Sequence, residues 1–175
     1  MTALIRLSGA AALTGGGLRV AAAFIPYVPG VAWLEGFYAV IDAFLLIGLI
    51  GIYVSVSDRV GRLGLAGFII AAIGQGSIIG PDATQFGIDF YLAGSVVLLA
   101  GLTLLSAAMF GVKAMRSVAL LWLSAVGMAV ASTIFGEVAI LAAGALLGGG
   151  FAVAGAAIPK RPIVDPAQTP SQIAM

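Results

Sequence analysis

The sharpest chemical pattern in this sequence is a run of three polar residues inside an otherwise apolar stretch. Glu35, Tyr38 and Asp42 follow i, i+3, i+7 spacing, which puts all three side chains on one helical stripe. Seven residues are nearly two turns, so the two carboxylates lie about 10 Å apart along that face. Arg19 stands in a separate apolar run, seven residues before Pro26. Gln75 and Asp89 sit near the ends of two further runs. An arginine, several carboxylates, a phenol and an amide at comparable depth can pair with one another, move a proton, or bind a charged guest.

Inside hydrocarbon a lone charge costs at least about 2.5–3.5 kcal/mol. Arg19 therefore needs a partner or water, and Glu35 or Asp42 is the obvious candidate. One guanidinium cannot neutralise every nearby acid. A carboxyl left without a cation could donate a proton, accept one during transport, or hydrogen-bond as a neutral acid. Structural roles compete at each position: an interhelical ion pair for Arg19 with Glu35 or Asp42, and packing for Gln75 and Tyr38. Asp89 reads equally as a helix-start residue, while Asp82 and Glu137 read first as turn and capping residues.

The elements that must position these groups are membrane helices. Of 175 residues, 62% are hydrophobic and 9% charged, with mean hydropathy +1.19. Soluble domains carry charge on about a quarter of their residues, so soluble enzymes and nucleic-acid binders are excluded. The sequence has no Cys and no His, which removes thiolate chemistry, imidazole-bound zinc and Ser-His triads. No cofactor is expected. No metal is expected either: a carboxylate-only Mg²⁺ or Ca²⁺ site would need a motif such as the EF-hand spacing, which is missing.

A helix needs about 20 mostly apolar residues to cross the bilayer. Six runs qualify, at 5–26, 32–55, 63–80, 87–111, 117–135 and 138–158. The expected fold is an all-α integral membrane protein, a bundle of six transmembrane helices in a single domain over 1–159. Residues 160–175 are expected to form a flexible cytoplasmic tail. Breaking chemistry separates the runs: Tyr27-Val28-Pro29-Gly30, Ser57-Asp58-Arg59 leading to Gly61-Arg62, Gly80-Pro81-Asp82, and 113–116. Phe135-Gly136-Glu137 is the weakest boundary, where a kinked continuous segment competes with a hairpin.

Under that count Arg6, Arg59, Arg62, Lys113, Arg116, Lys160 and Arg161 share one side. Basic residues mark the cytoplasmic side, so both termini are expected there, with Trp33 at the opposite interface. Arg19 is the one basic residue on the outer side. It also interrupts the apolar-then-small order of a signal peptide, and the first run reads as a retained span. Glu35, Asp82, Asp89 and Glu137 fall at outer helix ends or in outer loops. Asp42 lies deeper, near the midplane.

Glycine and alanine fill the runs, as in Gly15-Gly16-Gly17 and Gly148-Gly149-Gly150, which fits close helix approach. Residues 12–26 and 145–159 align over 15 positions, in the manner of an inverted repeat. The alignment sets Arg19 against Ala152.

The stretch from Gly48-Leu49-Ile50-Gly51-Ile52-Tyr53 to Gly61-Arg62-Leu63-Gly64-Leu65-Ala66-Gly67-Phe68 resembles a cytoplasmic hairpin of uncharacterised bacterial multi-spanning membrane proteins. The resemblance covers residues 48–74 and implies a bacterial cytoplasmic-membrane protein. Two architectural analogies are looser. Substrate-binding subunits of energy-coupling-factor vitamin transporters are similar in length and span number, and fungal-type membrane terpene cyclases use buried carboxylates as acids.

Three functional readings follow. The first is an outward-facing pocket, lined by Arg19, Glu35, Tyr38, Asp42, Gln75 and Asp89, for a small lipophilic or cationic ligand. The second is an acid/base enzyme on a hydrophobic substrate, with Asp42 or Glu35 as the catalytic group and Arg19 orienting it. The third is an assembly subunit whose polar residues meet a membrane-protein partner or a second copy. The lipid bilayer is a partner in all three; a nucleic acid is a partner in none.

Overall fold

The computed structural model describes residues 2–25, 28, 31–79, 84–85 and 87–158. Asp82, Lys160, Arg161 and the segment 160–175 lie outside the described residues, as do Pro26 and most of 27–30. The described residues are helical apart from one small hairpin and the connecting turns. Its elements are α1 (Thr2–Ala22), α2 (Ala32–Ser77), β1 (Thr84–Gln85), β2 (Ile88–Asp89), α3 (Phe90–Met109), α4 (Arg116–Phe135) and α5 (Glu137–Ala157). A short 3₁₀ turn, Lys113–Met115, leads into α4. Four of these helices, α2 to α5, are long and apolar enough to cross a membrane.

Helix α2 has 46 residues, about 69 Å if straight, but it is not straight. Gly61 has φ 56° and ψ −156°, a conformation essentially reserved for glycine. The chain reverses there. Ring centroids of Tyr53 and Phe68 stack 4.2 Å apart across the reversal, and Gln75 reaches back to Asp42. Ser57, Asp58 and Arg59, expected to break the helix, instead continue it to the glycine. A second reversal uses nearly the same geometry: Gly136 (φ 62°, ψ −142°) ends α4 and begins α5. Trp122 and Phe151 then meet with centroids 5.0 Å apart, so the weakest boundary in the sequence is a hairpin.

Two antiparallel contacts are built from glycines seven residues apart. Gly67 and Gly74 of α2 face Gly101 and Gly94 of α3. Gly9 and Gly16 of α1 face Gly155 and Gly148 of α5. A β-carbon on Gly74 would lie 2.7 Å from the Gly94 carbonyl oxygen, and one on Gly148 2.7 Å from that of Gly16. Backbones at this separation gain dispersion contact that larger side chains would prevent. The first arm of α2 packs on α1 in the same way, with Gly48 against Ala12 and Gly51 against Ser8.

The helices therefore close a ring in which α1 touches α2 and α5, α5 touches α4, α4 touches α3, and α3 returns to α2. This topology sorts the charges. Arg6, Asp58, Arg59, Arg62, Lys113 and Arg116 lie at or near one end of the bundle. Arg19, Glu35, Asp42, Asp89 and Glu137 lie in the other half.

Candidate functional site

At the acid-rich end the helices enclose a cavity of about 700 Å³. Its wall is built from the end of α1, both ends of α2, and the starts of α3 and α5. The stripe on α2 faces inward, so Glu35, Tyr38 and Asp42 all line it, together with Arg19 and Asp89. Five of the six residues expected to form a pocket thus share one wall.

The sixth, Gln75, lies behind the wall. It is completely buried on the second arm of α2. Its Nε2 donates to Asp42 Oδ1 at 3.1 Å and to the Asp42 carbonyl oxygen at 3.3 Å. Asp42 is itself only 8% exposed, and it forms the floor of the cavity with one carboxylate oxygen held from below. Gln75 Oε1 is buried without a hydrogen-bond partner, an arrangement that costs about 1–3 kcal/mol. That cost is tolerated where the amide fixes Asp42.

Tyr38 does more than line the wall. Its hydroxyl donates to the Ala22 carbonyl oxygen at 3.2 Å, with the Ile25 carbonyl oxygen at 3.5 Å as the alternative acceptor. Carbonyls at a helix end have no intrahelical partner, so Tyr38 ties the end of α1 to α2. Its ring also receives Arg19, whose guanidinium carbon lies 5.8 Å from the ring centroid, within cation–π range. The Asp42 carboxyl group lies within electrostatic reach of the same guanidinium. Gly144 lies beside the guanidinium, where a β-carbon would meet Arg19 Nη2 at an ordinary contact distance of 3.5 Å.

Asp89 combines two roles. It caps α3 by accepting from the Leu92 amide at 2.9 Å, and it stands exposed at the cavity rim. Glu137, read from the sequence as a capping residue, lies in the first turn of α5 and also lines the cavity. Tyr91 and Gly144 join it as wall residues that the sequence reading did not include. The one hint for Glu137 was its position at the acid-rich end. Its facing could not be read before the α1–α5 packing was known.

Among the described residues the cavity wall thus carries Glu35, Asp42, Asp89 and Glu137 against one cation, Arg19. The acids are graded in depth: Asp42 buried, Glu35 half-buried, Asp89 and Glu137 exposed. Among the described residues, no group of three acidic side chains is placed to hold a metal ion. No family profile, curated protein or solved structure matches this chain.

Proposed function

We propose that this protein is a six-span bacterial inner-membrane protein whose cavity opens outward and binds a small organic cation, for carriage or sensing at the outer face. The observation that carries the reading is the cavity wall of four carboxylates and one arginine, with Asp42 fixed at its base by Gln75. Spread acids favour a molecular ammonium ion over a bare metal. The volume falls within the roughly 300–1,000 Å³ of pockets that hold drug-sized molecules.

The reversal at Gly61 supports counting α2 as two crossings, and α1 supplies the sixth. The segregation of Arg6, Arg59, Arg62, Lys113 and Arg116 from the acids supports placing the start of α1 and the end of α5 on the cytoplasmic side. The bacterial assignment rests on the resemblance over residues 48–74.

Butylammonium tests the reading with the protein in lipid nanodiscs. It should raise the unfolding temperature of the wild type, and half-saturation should move about tenfold or more higher in Asp42→Asn. Glu35→Gln should weaken the response in the same direction. An identical response in all three proteins refutes the reading.

A further inference from the structure

The cavity is walled unevenly. Every buried residue of α4, namely Val118, Ala119, Trp122 and Ala125, lies in its first half. From residue 126 to its end at Phe135, α4 has only half-buried and exposed residues. The half of α3 nearest the cavity behaves alike: Tyr91, Leu92, Ala93, Val96 and Val97 are exposed, while Gly94 and Leu98 are buried against α2. At this level the wall takes Tyr91 from α3 and Ile140 and Leu141 from α5, and no residue from α4. These three side chains are apolar or amphipathic and exposed. A polar floor thus connects to an apolar, outward-facing flank.

Resting on the organic-cation reading above, we infer that the guest is a long-chain alkylammonium amphiphile. Its charged head reaches Asp42, and its tail leaves sideways between α3 and α5 into the outer leaflet. Two features make the geometry specific. Between the buried Asp42 and the rim acids Asp89 and Glu137, the flank offers Tyr91, Ile140 and Leu141, so head and tail have separate destinations. The apolar rim offers a tail the same medium as lipid, so the tail need not fit within the cavity. The head then gains the carboxylates while the chain stays in hydrocarbon.

Chain length distinguishes this arrangement from an enclosed pocket. Butyl-, decyl- and hexadecylammonium are titrated against the protein in zwitterionic nanodiscs, with the long amines counted per membrane lipid so that partitioning cancels. Decyl- and hexadecylammonium should bind equally well by that measure, because extra methylenes remain in lipid. Both should weaken about tenfold or more in Asp42→Asn and in Glu35→Gln. Decyl sulfate should not bind.

Three results overturn the inference in distinguishable ways. If butylammonium binds in an Asp42-dependent manner but hexadecylammonium binds about tenfold more weakly than decylammonium, the cavity is closed and the lateral path is wrong. If decyl sulfate matches decylammonium, the charge assignment is wrong. If butylammonium itself is indifferent to both substitutions, the organic-cation reading falls with it.

Discussion

Asp42 and Gln75 form the pair on which the site depends. Removing the amide leaves a buried carboxyl without its donor, which costs about 1–3 kcal/mol. Gln75→Leu should therefore lower the unfolding temperature and weaken butylammonium binding together, although Gln75 lies behind the cavity wall. Arg19 has the opposite effect on a cationic guest. It competes for the same field, so Arg19→Gln should tighten butylammonium binding in calorimetry, and an unchanged affinity would count against a charge-governed cavity. The stripe of Glu35, Tyr38 and Asp42 was readable from sequence because helical periodicity alone puts three such residues on one face. The approach of Arg19 to the Tyr38 ring was not. It depends on how α1 and α2 pack, which no spacing along the chain reveals.

At the scale of elements, single glycines decide where helices turn and how closely they pack. Gly136 adopts φ 62° and ψ −142° between α4 and α5, a region that costs other residues about 1–3 kcal/mol. Gly136→Ala should lower stability by that amount. Gly17, in the body of α1 with nothing within 4 Å of its would-be β-carbon, supplies the control. Gly17→Ala should be neutral or stabilising by up to about 1 kcal/mol, and thermal unfolding of the two variants side by side checks both. That the chain consists of long apolar helices was legible from hydropathy and length. The hydrogen bond between Gln75 and Asp42 was not, because it depends on how the two arms of α2 rotate against each other about the reversal at Gly61. Nor was the facing of Glu137, which is set by the rotation of α5 on the Gly9, Gly16, Gly148 and Gly155 contacts.

For the whole molecule, the antiparallel ring turns a scattered list of charges into two ends of opposite character. The basic end should face the cytoplasm. A chain without cysteine makes this simple to check: a membrane-impermeant maleimide should label Ile88→Cys in intact cells, and Arg62→Cys only after permeabilisation. The reverse pattern would invert the orientation and turn the cavity inward. The central claim is that the acid-lined cavity receives a cationic head at Asp42, and it is tested most directly by seeing the head there. A crystal structure with a bromine-tagged alkylammonium should show the amine beside the Asp42 carboxylate in the wild type and no bound amine in Asp42→Asn. An amine bound elsewhere, or in the same place in both proteins, would contradict the account.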